Sequence, residues 1–311
     1  MSAGHGHGHG HGHGHRVPSR PDRAFLLGIV INSLFVLCEV GAGFYADSLA
    51  LLADAGHNLG DVLGLFLAWG GALLARAPAS RRRTYGLRRS SIFAALLNGI
   101  LLLMAAGAIL WEASARLLHP QPLSGRVVVL VAAIGVGINL STALLFMRDR
   151  RHDLNVRGAY LHMLADAGVS LGVVVAGGLV LWTGWGWVDP AVSMLIALVI
   201  ALATWSLFRE SMDLMLDAVP ESLDPAAVEA WLRSVPGIAG VHHLHIWAMS
   251  TTETALTVHL VKPDGRLDDD LLLHIQQELH RRFGIGHATI QLESGARQVP
   301  AEGLRLASRN P

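Results

Sequence analysis

The sequence predicts a membrane α-helical bundle of six transmembrane helices, followed by a small α+β domain. Hydrophobic residues make up 52% of the 311-residue chain and charged residues only 15%, whereas a soluble domain carries nearer a quarter charged residues. A transmembrane helix needs about 20 predominantly apolar residues. Six segments reach that length, at residues 24–45, 48–75, 92–118, 126–147, 158–182 and 189–208.

The overall charge and the cysteine content exclude other classes of protein. The formal net charge is zero, so no global field favours nucleic acid. Cys38 is the only cysteine, and a disulfide framework is therefore excluded. The start of the chain, "MSAGHGHGHGHGHGHRVPSR", lacks the apolar core of a signal peptide.

Arginine is unevenly distributed among the connections between the spans. The connection "RAPASRRRTYGLRRSS" after the second span and "MRDRRHDLNVRGAY" after the fourth are rich in arginine, whereas "HPQPLSG" and "TGWGWVDP" contain no lysine or arginine. Cytoplasmic loops carry the excess of basic residues. We therefore expect a multi-pass protein of the inner (plasma) membrane with both termini in the cytoplasm.

The pattern changes from about residue 209. "DPAAVEAWLRSVPG" has helical periodicity, with Asp224 and Pro225 at its start, and residues 268–283 form an amphipathic helix with acidic residues first and arginines last. "GVHHLHIWAM", "TETALTVHLV" and "HATIQLE" are typical of strands. The order α-β-β-α-β predicts an α+β domain with its helices on one face of a sheet.

Two of the apolar segments contain the same pair of polar residues at the same spacing. "LADAGHNLGD" places His57 four residues before Asp61, and "YLHMLADAGVS" places His162 four residues before Asp166. Positions i and i+4 share one face of a helix. If the second and fifth spans face each other, the four side chains form a tetrahedral site of the kind that zinc accepts.

Polar pairs that only join helices are the simpler interpretation of these residues. Two matching pairs near mid-span favour function instead, because intramembrane ionisable residues are costly. Asp54 lies three residues before His57 and could be an outer partner of the site. Asn139 could line a cavity or join two helices, and Glu39 could line a proton or metal path.

Ordered landmarks along the chain resemble the cation diffusion facilitators, and in particular their bacterial zinc-efflux branch. They are "ADSLALLADAGHNLGD", "TYGLRRSSIFAALLNGILLL", "AYLHMLADAGVSLGVVVAG", "VDPAVSMLIAL" and "HIW…TVHLV…HATIQLE". The resemblance implies a metal-ion/proton antiporter with six spans, a cytosolic ferredoxin-like domain and a homodimer. It also implies a transport site on the second and fifth spans, formed by His57, Asp61, His162 and Asp166.

The same resemblance implies a second metal site in the cytosolic domain, at His242, His259 and Glu293. A further histidine of some members corresponds here to Gln291, a poor zinc ligand, so a binuclear centre is not expected. His274 on the second helix of the domain is the remaining candidate ligand. We interpret His243, His245 and His287 as hydrogen-bonded residues of the sheet.

The repeat "GHGHGHGHGHGH" is a low-complexity run that cannot pack a core. An expression tag is the alternative, but tags seldom alternate histidine with glycine, so we expect weak zinc capture. Four parts are predicted: a His/Gly-rich cytoplasmic tail over 1–23, a transmembrane transport domain over 24–208, a cytosolic metal-binding domain over 209–295 and a C-terminal tail over 296–311.

These features predict a secondary transporter, not an enzyme, that exports Zn²⁺ from the cytoplasm in exchange for protons. Zinc is thus both the transported substrate and the expected ligand of the cytosolic domain. The sequence contains no GxxxxGK[ST] loop for ATP and no HExxH motif of a metalloprotease. A membrane-anchored zinc sensor that binds without transport is the alternative, and zinc flux in proteoliposomes separates the two.

Overall fold

The structure is a computed structural model that describes residues 23–119, 121–146, 154–266 and 268–295. The predicted His/Gly-rich tail over 1–23, apart from Arg23, and the predicted C-terminal tail over 296–311 lie outside these residues. The described chain forms two compact units. The first unit comprises the residues up to Val62 and Ala105–Ile200, and the second comprises Leu63–Met104 and the residues from Ala201 onward.

Six long helices occupy the six apolar segments. Long apolar segments form helices in a membrane because the helix satisfies every backbone polar group internally. The helices are α1 (Arg23–Ala46), α2 (Leu49–Ala75), α3 (Ser90–Leu118), α4 (Gly125–Phe146), α5 (Leu154–Thr183) and α6 (Val188–Met215).

Five of these helices, α2 to α6, are long and apolar enough to cross a membrane within the described residues. The stretch Ser33–Ala46 of α1 is also apolar but shorter. The multi-pass architecture is therefore confirmed, while the count of six spans stays a prediction.

The predicted end of the sixth segment differs from the end of its helix. We expected the apolar span to stop at residue 208, but α6 continues to Met215. Its last two turns contain the pair Arg209 and Asp213, whose charged atoms lie 3.9 Å apart at the i, i+4 spacing. Hydropathy locates the apolar part of a helix, whereas polar residues with paired side chains continue the same helix beyond it.

The C-terminal region has the element order that the sequence predicts. Its elements are α7 (Pro225–Ser234), β1 (Gly240–Ala248), β2 (Thr254–Val261), α8 (Asp269–Phe283) and β3 (Ile285–Glu293). Asp224 is the N-cap of α7 and accepts a hydrogen bond from the backbone N–H of Ala226, with Pro225 at the first helical position. Helix α8 ends at Gly284, whose φ of 68° is a left-handed conformation that glycine adopts without steric cost.

The sheet has the strand order β1-β2-β3. Strands β1 and β2 are antiparallel, whereas β2 and β3 are parallel and α8 connects them. Apolar residues of the strands, α7 and α8 form one buried core that includes Leu232, Leu256 and Leu279. Two parallel strands need a crossover connection, which α8 supplies between β2 and β3. Strands β2 and β3 therefore end at the same edge of the sheet, next to the start of β1.

Candidate metal centres

Helices α2 and α5 bring the four predicted transmembrane ligands together. His57 Nε2 lies 3.1 Å from Asp166 Oδ1 on the other helix and 3.9 Å from Asp61 Oδ2 on its own. His162 Nε2 lies 3.3 Å from Asp61 Oδ2 and 3.6 Å from Asp166 Oδ2. Each carboxylate therefore contacts an imidazole of both helices, and we call these four residues the transmembrane quartet.

The spacing of the quartet suits a small tetrahedral cation. Ligand atoms at about 2.0–2.2 Å from Zn²⁺ stand about 3.3–3.6 Å apart in a tetrahedron. The ligand atoms of His57, Asp61 and Asp166 all lie within 4.8 Å of one another. His162 is not part of this group of three, and its ring centroid lies 6.2 Å from that of His57. Three candidate ligands thus converge, and His162 Nε2 contacts the carboxylates of both aspartates.

Exposure is uneven across the quartet. The Asp166 side chain is 2% exposed, whereas the other three are between 24% and 41% exposed. Asp166 is therefore the more buried of the two carboxylates of the quartet.

Two further pairs of buried polar side chains involve residues of the helices that carry the quartet. Asp54 is fully buried and accepts a hydrogen bond from Ser170 Oγ at 2.7 Å. Glu39 is also buried and accepts a hydrogen bond from Asn58 Nδ2 at 3.2 Å. The contacts of Ser170 and Asn58 were not predicted, although Ser170 is four residues after Asp166 and therefore shares its helix face. Asn139 is buried, and its Nδ2 atom has no hydrogen-bond partner among the described residues.

The start of α2 is held by a carboxylate of α6 that sequence reasoning also missed. Asp189 is buried and accepts hydrogen bonds from Ser48 Oγ and from the backbone N–H of Leu49, the latter at 2.8 Å. These groups satisfy donors that a helix leaves free at its first turn. The contact fixes the start of the helix that carries His57 and Asp61.

A second cluster lies at the edge of the C-terminal sheet. His242 and His259 are paired across β1 and β2, and Glu293 ends β3. Glu293 Oε2 lies 2.9 Å from His242 Nε2, and its Oε1 lies 2.8 Å from His259 Nδ1. The ligand atoms of the three residues lie within 4.8 Å of one another. The three predicted ligands of the cytosolic site are thus brought together.

The carboxylate of this cluster is held in its ionised form. Partial burial opposes ionisation, but the hydrogen bonds to His259 and His242 lower the pKa of Glu293 below its ordinary value. Gln291 Nε2 donates a further hydrogen bond of 3.0 Å to Glu293 Oε1. A carboxylate in this state is ready to bind a cation without first releasing a proton.

The other candidate histidines of the domain lie in different places. His274 is exposed on α8 and is not among the converging ligands. His287 is exposed, and its ring contacts Tyr85 with the centroids 5.5 Å apart. His245 is exposed on β1, whereas His243 packs its ring against both His242 and His259.

Comparison with known families covers both parts of the chain. The family model described as the cation efflux transmembrane domain matches residues 25–216. The model described as the cation efflux protein, cytoplasmic domain, matches residues 220–295.

Curated relatives match almost the whole chain. The metal cation efflux system protein CzcD of Cupriavidus metallidurans is 36% identical over 294 residues, which cover 94% of this chain and 90% of the relative. The zinc transporter ZitB of Escherichia coli is 37% identical over 273 residues, or 87% of each chain. The cadmium, cobalt and zinc/H(+)-K(+) antiporter of Bacillus subtilis is 32% identical over 279 residues, or 88% of this chain and 89% of the relative.

The chain combines apolar helices that carry paired histidines and aspartates with an α+β domain in which two histidines and a glutamate converge. These features define a multi-pass membrane protein that handles metal cations. Both family models match, and the relatives are similar along nearly their full length. The chain belongs to the cation diffusion facilitator family, whose members are cation efflux transporters and not enzymes. Its relatives include named bacterial zinc transporters, as the resemblance to the zinc-efflux branch implies.

Proposed function

We propose that this protein exports Zn²⁺ from the cytoplasm in exchange for protons, and that the transmembrane quartet is the transport site. One observation carries the proposal: two imidazoles and two carboxylates from α2 and α5 meet inside apolar helices, with contacts of 3.1 to 3.9 Å between them. An intramembrane ionisable group is retained chiefly for function. The printed names of relatives that transport zinc support the same substrate.

Charge balance explains how this site exchanges its two substrates. Two carboxylates and two neutral imidazoles carry two negative charges, which one Zn²⁺ neutralises. Two protons on the imidazoles neutralise the same carboxylates after the metal leaves. The site is therefore electrically neutral in both states, which matters because an uncompensated charge is costly inside a membrane.

Proton binding and zinc binding exclude each other at this site. Imidazole binds a metal only when it is neutral, and carboxylate only when it is ionised. Histidine changes charge near neutral pH when it is unperturbed. Protons that enter from outside thus promote zinc release there, and a rocking of the helices would expose the site to each side in turn.

The contacts of the second unit support a cytoplasmic position for the C-terminal domain. Arg88 Nη1, just before α3, donates a hydrogen bond of 2.6 Å to Glu253, and Thr251 N donates one of 3.1 Å to Ser91 Oγ. These contacts support a position of the domain on the same side of the membrane as the arginine-rich connection between α2 and α3. By the positive-inside rule that side is the cytoplasm, so we propose six spans with both termini cytoplasmic, in the inner membrane.

We further propose that the C-terminal domain is ferredoxin-like, that it binds zinc through His242, His259 and Glu293, and that it forms a homodimer. The converging side chains support the zinc site, and the match to the family's cytoplasmic domain supports the location. The transport domain would then end with α6. Cadmium and cobalt stand beside zinc in the name of one relative, and the two imidazoles of the quartet favour zinc among these metals.

Zinc uptake into inverted membrane vesicles tests the function directly. We expect uptake that requires an imposed proton gradient and that collapses when the gradient is dissipated. Zinc uptake that ignores the gradient would refute proton exchange. A purified protein that binds zinc in detergent but gives no flux in proteoliposomes would identify a membrane-anchored sensor instead of a transporter.

A further inference from the structure

A β-bulge in β1 places a third histidine beside the candidate cytosolic zinc site. His242 pairs with His259 across the two strands, and the next regular pair is His245 with Thr257. Residues 243 and 244 therefore oppose the single residue Val258. A bulge of this kind redirects a side chain that regular alternation would send to the opposite face of the sheet.

The backbone of His243 is in the left-handed region, with a φ of 49°. This conformation is uncommon for residues other than glycine, although asparagine, aspartate and histidine adopt it more often than the rest. Its consequence is visible in the rings: the His243 centroid lies 5.3 Å from that of His242 and 5.0 Å from that of His259. The centroids of His242 and His259 are 5.2 Å apart, so the three imidazoles form a nearly equilateral triangle.

The size of this triangle matches three imidazoles around one tetrahedral cation. With Zn–N near 2.0–2.1 Å, each ring centroid stands about 3.2 Å from the metal, and a tetrahedral angle separates two centroids by about 5.2 Å. His245 makes no such triangle, because its ring lies 6.5 Å from that of His243 and is directed to solvent.

We propose that His243 is the fourth ligand of the cytosolic zinc site and completes a His₃Glu set with His242, His259 and Glu293. The inference rests on the zinc site proposed above. At present only the other three residues share ligand atoms within 4.8 Å, so on metal binding the His243 ring must turn about its Cβ–Cγ bond, which leaves the ring centroid nearly in place. Without it, three protein ligands leave one coordination position open to water; with it, the site is closed, as structural zinc sites are.

The test uses the full-length protein in detergent with the other metal sites removed. Residues 4–15 are deleted, and Asp61→Ala with Asp166→Ala disables the transmembrane quartet. Co²⁺ is the probe, because its visible absorption is strong in tetrahedral sites and weak at higher coordination number, and Zn²⁺ competition gives the affinity. His243→Asn removes the imidazole while asparagine tolerates the left-handed backbone.

We expect His243→Asn to weaken Zn²⁺ binding at least about tenfold, since even residues that only orient a ligand cost that much, and to reduce the tetrahedral Co²⁺ absorption. His245→Asn, the matched control on the same strand, should leave both within about twofold of the parent. If His243→Asn does not fold, His243→Gly replaces it, because glycine accepts the same φ.

Two results overturn the inference. The first is that His243→Asn has the same Co²⁺ absorption and Zn²⁺ affinity as the parent, which is the protein with residues 4–15 deleted and the quartet disabled. This result would show that the metal has only three protein ligands. A parent that binds neither metal would refute the three-residue site itself and, with it, the role of His243. Neither result bears on transport by the quartet, which vesicle flux measures separately.

Discussion

The substitution Asp166→Asn isolates the more buried carboxylate of the transmembrane quartet. Asparagine has nearly the same shape but no charge. Asp166 is 2% exposed and lies 3.1 Å from His57 Nε2 and 3.6 Å from His162 Nε2. Loss of a residue that merely orients a metal ligand costs 10- to 100-fold in affinity. Removal of this buried anionic ligand should therefore cost at least about 100-fold, or about 2.7 kcal/mol.

The fold should survive this substitution. The amide oxygen of asparagine can still accept a hydrogen bond from the imidazole of His57, and one neutral hydrogen bond contributes only about 1 kcal/mol. Replacing a buried carboxylate by a neutral group also removes a desolvation cost. We therefore expect the free energy of unfolding without metal to change by no more than about 1 kcal/mol.

Two measurements check this prediction: zinc titration of the detergent-solubilised protein and zinc flux in proteoliposomes. Transport should be lost at zinc concentrations that saturate the unmodified protein. Asp61→Asn should also impair transport, since Asp61 Oδ2 lies 3.3 Å from His162 Nε2. Asp213→Asn is the control, because Asp213 is an exposed residue near the end of α6. Flux of Asp166→Asn within twofold of the unmodified protein would refute the four-residue transport site.

Three further predictions concern selectivity, the N-terminal repeat and the cytosolic site. His57→Asp should raise the cadmium-to-zinc flux ratio at least about tenfold, equivalent to 1.4 kcal/mol, because a carboxylate accepts longer metal–ligand bonds. It should also shift transport to higher pH, because the added negative charge makes the empty site hold protons more tightly. Paired zinc and cadmium flux assays at two pH values test this, and an unchanged ratio with robust zinc flux assigns selectivity to other residues. Deletion of residues 4–15 should lower flux only at low zinc, because the repeat lies outside every span, so loss of maximal flux despite normal membrane insertion contradicts zinc capture. With the quartet disabled and this repeat deleted, zinc at 100 times its Kd should stabilise the full chain by about 2.7 kcal/mol, and His259→Ala should abolish that gain; an unfolding temperature independent of zinc in the parent disproves the cytosolic site.

Local spacing predicted the two His–Asp pairs of the transmembrane quartet, although not the contact between their helices. The i, i+4 spacing of His57 with Asp61 and of His162 with Asp166 fixes which side chains share a helix face, and hydropathy locates the helices. The contacts between helices were beyond such reasoning. Asp189 lies more than 130 residues from the helix start at Leu49 that it caps, and only the folded bundle brings them together.

The C-terminal domain shows the same limit for strands. Alternating apolar residues predict strands, and the cap Asp224 predicts where α7 begins. Regular alternation also predicts that His242 and His243 point to opposite faces of the sheet. The bulge in β1 interrupts this alternation, and no local residue pattern predicted the bulge. The orientation of His243 was therefore invisible in the sequence.

The two candidate centres combine the same chemical groups on scaffolds of different rigidity. His242, His259 and Glu293 lie on three strands whose backbone hydrogen bonds fix their register. The distances between these ligands cannot change much without breaking the sheet. The quartet instead joins two helices that share no backbone hydrogen bonds, so a small sliding or rotation of α5 against α2 separates each imidazole from the carboxylate of the opposite helix. A site on a sheet favours retention of the metal, whereas a site between two helices can release it. This difference in scaffold is the physical reason to assign transport to the quartet and a lasting zinc ion to the sheet.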